Sequence, residues 1–343
     1  MDDILFVFGS ARGGTTYLSK VLTDWFSYGM GPEGTFIQEI LKKAEERGDL
    51  SLDENCYALA RDIICTQTFQ IIQTRWGEKE GFTVHAEDIV QTMPDRTPSS
   101  AIFAAFKVMA DRLQLERVGN KNPGYWRELD TLNELFPLNA KYLFIVRDGR
   151  DVALSLKHVP WGGHSAYAAA IIWKDMIETV NAFEKNVRPG ALLQIRYEDL
   201  LDKPGDTIEA IGNFIGQDDL APIRAGYEET VKNNQLRSNF GKWVAEMSIG
   251  DQQAYEAVAG DVLSALGYSR LYPEAKLGFA KKFIFCGSFG VEYSIELTRL
   301  CSWESGSSGN QSVIGNRQKP WADPGLVGPS PHANTPSLPR YAW

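Results

Sequence analysis

A short apolar run from Ile4 to Phe8 stops at a glycine and continues as Gly9-Ser10-Ala11-Arg12-Gly13-Gly14-Thr15-Thr16. Apolar residues then recur at helical spacing through Leu18, Val21, Leu22 and Trp25. Strand, glycine-rich turn and helix in that order leave few folds open. Glycines let the backbone turn tightly, and the turn ends at a helix N-terminus, where N–H groups and the helix dipole favour an anion. The expected ligand of this turn is a phosphate or a sulfate.

The same grammar recurs downstream. Tyr142 to Val146 reads as a buried strand that runs into Arg147, and a helical pattern resumes over Asp151 to Lys157. Ala166 to Asn186 reads as a long helix, Ala191 to Tyr197 as a third strand, and Thr207 to Ile215 as a helix opened by the loop around Pro204 and Gly205. Earlier, Gln38 to Arg47 and Tyr57 to Trp76 carry helical periodicity. Strands alternating with helices predict an α/β fold, a P-loop-like three-layer sandwich with a central, mostly parallel sheet and helices on both faces.

Composition narrows the function. The 343 residues are 43% hydrophobic and 23% charged, as in a folded globular chain, and the formal net charge is −9. An acidic body argues against nucleic acid as the main partner. It leaves room for a local basic pocket that draws small polyanions. The four cysteines have no CxxC pairing and the four histidines no metal-ligand spacing, so the expected site has no metal. No apolar run is long enough to span a bilayer, and no leader precedes the first strand, so a cytoplasmic setting is expected. Six of the sixteen prolines fall in the last 24 residues. This sets a domain over 1–272 apart from a C-terminal extension over 273–343 that is expected to be largely flexible from about residue 302.

Charge placement separates this turn from a nucleoside-triphosphate site. The Walker pattern puts lysine directly after the last glycine, where this chain has Thr15; its cation stands earlier, at Arg12. A Walker B strand ends in an acidic residue that holds magnesium, whereas the run Tyr142 to Val146 is followed first by Arg147, with Ser155 eight residues further on. Arginine suits phosphate oxygens, and a serine hydroxyl adds a neutral donor.

The pair of segments Ser10-Ala11-Arg12-Gly13-Gly14-Thr15-Thr16 and Ile145-Val146-Arg147-Asp148-Gly149-Arg150-Asp151-Val152-Ala153-Leu154-Ser155 resembles the two donor-binding motifs of the 3'-phosphoadenylylsulfate-dependent sulfotransferases. Further matches are Lys121-Asn122-Pro123, Phe136-Pro137, Arg196-Tyr197-Glu198-Asp199-Leu200 and Gly241-Lys242-Trp243, so the resemblance covers roughly residues 4 to 270 in the family's order. In spacing it is most similar to the protein-tyrosine branch and its soluble bacterial-type relatives.

The resemblance implies a transferase that moves a sulfonate group from 3'-phosphoadenosine-5'-phosphosulfate to a hydroxyl or amine acceptor by in-line displacement, leaving adenosine-3',5'-bisphosphate and using no metal. Arg12, Gly13, Gly14, Thr15 and Thr16 would hold the 5'-phosphosulfate, and Arg147 and Ser155 the 3'-phosphate. Tyr197 would lie near the adenine or serve as a strand-end core residue. Glu33, at the same separation from the loop arginine as in the protein-tyrosine branch, would be the general base, with His85 the second candidate. Lys121 would offset charge on the leaving oxygen, with Arg12 beside it. Lys242 would close over the donor, although Gly241 stands where that branch has serine. Val159 occupies the place of a second basic residue, for which Lys157 or His158 are the local substitutes. Trp161, Gly162 and Gly163 read as a lid. The acceptor, whether a small molecule, sugar, lipid or peptide hydroxyl, has no legible motif, and the chain is expected to be a monomer or a homodimer. Two other classes share the glycine turn: a kinase-like P-loop phosphotransferase and a non-catalytic nucleotide-binding member of the fold.

Overall fold

Alternation along the first strand, β1 (Ile4–Gly9), sets the layering. Leu5 and Val7 point to one side, into an aliphatic cluster with Leu18, Val21 and Leu22 of α1 (Thr15–Phe26). Phe6 and Phe8 point to the other and pack against aromatic rings: Phe6 edge-on to Tyr125, tilted on Phe136 and stacked on Tyr142, and Phe8 stacked on Phe144. A strand apolar on both sides must be covered on both, so the sheet lies between helical layers. The structure, a computed structural model, describes residues 2–276 apart from 32, 34, 35, 163, 164 and 234–239, and only the backbone of 75 and 76.

After α1 the chain forms the short strand β2 (Tyr28–Gly31) and the helices α2 (Phe36–Arg47), α3 (Asp53–Cys65), α4 (Gln67–Ile72), α5 (Ala86–Thr92) and α6 (Pro98–Arg112). The strand β3 (Arg117–Lys121) and the helix α7 (Leu129–Leu135) follow, then β4 (Ala140–Val146), α8 (Gly149–Leu156) and α9 (Ala166–Glu184). Last come β5 (Leu192–Arg196), α10 (Pro204–Ile215), α11 (Leu220–Asn233) and α12 (Ile249–Ala265). The described strands make one five-stranded sheet in the order β2-β3-β1-β4-β5, and every neighbouring pair is parallel. The expected α/β layering with helices on both faces is therefore what forms: Ile208 and Ile211 of α10 join the aliphatic face, and Phe183 of α9 meets Tyr142 on the aromatic face. No helix among the described residues is long and apolar enough to cross a membrane.

Several elements differ from the sequence reading. The strand at Ala191 to Tyr197 is the fifth of the sheet, because β2 and β3 precede it. β2 has the sequence Tyr-Gly-Met-Gly, and its glycines allow close packing: a Cβ at Gly29 would lie 2.5 Å from the Ala110 side chain of α6. The single helix expected over Tyr57 to Trp76 is split at Thr66, whose ψ of 148° is extended. The Thr66 hydroxyl donates to the Ile63 carbonyl and accepts from the Phe69 N–H, closing one helix and capping the next. Pro204 opens α10 from inside, at a position where its missing N–H costs no bond. The expected extension lies outside the described residues from 277 onward.

Candidate functional site

Because the sheet is parallel, all five strands end on one rim, and this rim is where groups from distant parts of the chain can meet. Register fixes which ones. Val7 pairs with Lys121, Gly9 with Ile145, Gly31 with Asn120, and Val146 with Arg196. Each strand thus delivers a candidate residue just at or past its end: β1 the glycine turn, β2 Glu33, β3 Lys121, β4 Arg147 and β5 Tyr197.

The turn after β1 is curled on itself. Gly13 donates its N–H to the Ser10 carbonyl at 2.8 Å, and a Cβ on Gly13 would lie 2.5 Å from the Ser10 hydroxyl. Arg12 and Gly14 both have positive φ, 65° and 99°, so successive N–H groups change direction within the turn. The Ser10 Oγ is buried and has no hydrogen-bond partner among the described residues. A concave turn with crowded glycines, an orphaned hydroxyl and a following helix N-terminus fits a bound phosphate or sulfate group. Gly14 has a second reason to be glycine, since a Cβ there would stand 2.3 Å from the Tyr197 ring. Gly14→Ala is expected to lower the unfolding temperature, because a left-handed alanine costs about 1–2 kcal/mol before the clash with the ring is counted. An unchanged melting curve would contradict this account of the turn.

Two hydrogen bonds draw the β4 side onto the turn, and two further contacts hold Arg147 in place. Arg147 donates from Nη1 to the Arg12 carbonyl at 3.1 Å, and its guanidinium lies 4.8 Å above the Tyr197 ring. Arg12 Nε donates to the Ser155 hydroxyl at 3.1 Å. The Arg147 carbonyl accepts from Trp173 Nε1 at 3.1 Å. Arg12, allotted to one end of the donor, and Ser155, allotted to the other, are here joined by a single bond, so the two expected subsites are contiguous. Ser155 lies two residues further into α8 than expected, because Asp148 caps the helix early by accepting the Arg150 N–H at 2.9 Å.

On the β3 side, Lys121 is buried while Glu33 is nearly half exposed. The ammonium donates to the Glu33 carboxylate and, at 3.3 Å, to the Thr16 hydroxyl. Burial pulls the Lys121 pKa below its ordinary value, and Glu33 partly opposes this. Thr15, with Thr16, opens α1 and is buried.

The other candidates fall elsewhere. His85 is exposed at the start of α5, where its backbone N–H donates to the Asp88 carboxylate at 2.8 Å; this is a helix-start role. Lys157, the possible substitute for the basic residue missing at Val159, pairs with Asp251 at 2.5 Å. His158 is exposed. Lys242 is exposed, in a turn whose neighbours Gly241 and Trp243 are tied to Asp151. Of the expected lid, Trp161 is exposed and Gly163 lies outside the described residues.

Sequence reasoning passed over Glu198, although it stands inside the quoted run around Tyr197. Its carboxylate accepts the Asp148 N–H at 2.9 Å and the Tyr268 hydroxyl at 3.0 Å, bracing the backbone next to Arg147. Burial raises its pKa, and those donors oppose the rise. Trp173 gave no signal beyond helical periodicity.

Comparison with known proteins places these features. Residues 4–221 match the family model described as the sulfotransferase family. A Caenorhabditis elegans protein named putative protein-tyrosine sulfotransferase is 32% identical over 104 residues, covering 29% of this chain and 39% of that protein. The nodulation protein NoeE of Sinorhizobium fredii is 25% identical over 223 residues, covering 53% of this chain and 52% of that one. The chain therefore spans about half, or less, of these curated relatives. The sulfotransferase domain of the curacin biosynthetic pathway superimposes with a TM-score of 0.47 at 17% identity, over 79% of this chain and 99% of that domain.

Proposed function

The chain belongs to the sulfotransferase family, and from that premise we propose that it transfers a sulfonate group from 3'-phosphoadenosine-5'-phosphosulfate to a hydroxyl acceptor. The observation that carries the reading is the convergence of Arg147, Ser155 and Tyr197 on the glycine turn of β1. A triphosphate site needs one cluster of charge along one phosphate chain. A donor with phosphates at both ends of its ribose needs anion-holding groups for each, and Arg12, Arg147 and Ser155 are the groups that would supply them beside the Tyr197 ring.

In this scheme the acceptor hydroxyl gives its proton to the Glu33 carboxylate, and its oxygen attacks sulfur. The bond between sulfur and the bridging phosphate oxygen breaks, and that oxygen leaves with the electron pair on adenosine-3',5'-bisphosphate. Lys121 and Arg12 would be the cations that offset the charge it gains. Lys121 already touches both Thr16 and Glu33, so one buried ammonium would join the base to the donor turn. A hydroxyl acceptor also agrees with the name of the nematode relative.

Ligand-induced stabilisation tests the donor. Adenosine-3',5'-bisphosphate at a hundred times its dissociation constant is expected to add about 2.7 kcal/mol to the unfolding free energy, with Mg·ATP at equal concentration adding much less. Stabilisation by the triphosphate alone would overturn the reading in favour of a phosphotransferase.

A further inference from the structure

Three residues on the β4 side of the site are spaced four apart: Arg147, Asp151 and Ser155. Residues four apart on a helix stack along one face, as Asp151 and Ser155 do on α8, while Arg147 stands just before the helix cap. The outer two face the glycine turn, through the Arg12 carbonyl and the Arg12 guanidinium. The middle one is an acid, 2% exposed, in a place where an anion-binding surface has no electrostatic use for a carboxylate. Burial raises the Asp151 pKa, and the Trp243 and Gly241 N–H groups are the leading causes that oppose the rise.

Those two N–H groups account for the acid. Asp151 Oδ2 accepts from Gly241 at 2.6 Å and Oδ1 from Trp243 at 3.0 Å, so both oxygens grip the same three-residue turn. The turn suits the grip. Gly241 has φ of 75°, which an L-residue rarely adopts, and the buried Trp243 ring lies 3.5 Å from the Arg150 guanidinium on the same helix. Gly241 therefore contributes through its backbone. A hydroxyl side chain at that position is not needed for the contact.

We propose that Asp151 is a positioning residue for donor binding. By fixing the backbone on either side of Lys242, its carboxylate sets that lysine against the helix face that carries Ser155. The held turn would add a cation near Ser155, where Val159, beyond the end of α8, stands in the place of a second basic residue and Lys157 is engaged by Asp251. The inference rests on the donor reading above, and it extends that reading to a residue that does not itself touch the donor.

The test is a double-mutant cycle read by calorimetric binding of adenosine-3',5'-bisphosphate to the full chain. Asp151→Asn and Lys242→Ala are each expected to weaken binding about tenfold, the order of one charged hydrogen bond lost. The double variant should be no weaker than Lys242→Ala alone, because Asp151 acts through that lysine. In turnover assays Asp151→Asn should raise the donor KM and leave kcat near that of the unmodified protein. Hydrogen exchange should quicken at the Gly241 and Trp243 amides. If Asp151→Asn folds poorly, Asp151→Glu, which keeps the charge and displaces it by one methylene, carries the same comparison.

Losses that multiply in the double variant, or Asp151→Asn binding as tightly as the unmodified protein, would overturn the inference. Failure of the unmodified protein to bind the bisphosphate would overturn the donor reading itself, and the inference with it. The amide exchange would still report whether Asp151 holds the turn.

Discussion

Replacing Glu33 by glutamine is expected to lower turnover by about 100- to 10,000-fold, the span usually lost with a general base. The affinity for adenosine-3',5'-bisphosphate should be kept or should rise. The amide matches the carboxylate in shape but cannot take the acceptor's proton, and it releases the Lys121 ammonium that Glu33 engages. The two effects separate base from donor site. Retention of full turnover would move the base elsewhere.

The same variant has a pH signature. Lys121 is depressed below the ordinary lysine value by burial, and Glu33 raises it through charge and hydrogen bonding. A lysine that must be charged to hold an anion loses that function as pH rises through its folded-state pKa. Glu33→Gln removes the support, so that pKa falls further. Bisphosphate binding should therefore weaken at a lower pH in the variant than in the unmodified protein. An alkaline limb that stays in place, or moves upward, would mean that the Lys121–Glu33 pair does not govern the site.

The largest expected loss of stability comes from Arg150. It is 1% exposed, donates to both Asp148 oxygens at 3.0 and 2.7 Å, and reaches Glu256 at 2.7 Å, on a helix 106 residues away. Glu256 also accepts the Leu271 and Tyr272 N–H groups at 3.1 and 2.7 Å. Arg150→Met roughly keeps the volume and takes a buried cation from two buried carboxylates, Glu256 retaining the more distant Arg270 at 3.8 Å, which should cost about 3–5 kcal/mol. In a domain of this size, each kcal/mol is worth about 2–4 °C of melting temperature. Adding Asp148→Asn and Glu256→Gln should restore much of the loss, because the asparagine still caps α8 and no buried charge is left alone. A single variant that melts with the unmodified protein would show that solvent reaches the cluster.

The legible parts of the sequence were those where local pattern and burial coincide. β1, its glycine turn and α1 follow from a continuous apolar run, three glycines and a helical period, and β4 is legible for the same reason. β2 and β3 were not legible. Tyr-Gly-Met-Gly and Arg-Val-Gly-Asn-Lys have little apolar content of their own, and they become strands because α6 and β1 offer them a surface that only small residues can approach. The break at Thr66 was hidden because α3 and α4 each keep an apolar face. In the site, Arg12, Lys121, Arg147, Ser155 and Tyr197 were legible through motif resemblance, and the structure brings them together. Asp151, Glu198 and Arg150 act on partners far away in the chain, and no window of sequence contains such a pairing.

A sheet whose strands all run one way has two unlike rims. One holds the candidate site, while the other holds the segment that leads from α9 into β5, where Lys185 is exposed. That second rim is the natural handle. A tether or label built in at Lys185 would fasten the molecule by that side and leave the candidate site turned toward solution, so that large candidate acceptors could be presented to an immobilised protein without the support standing in their way.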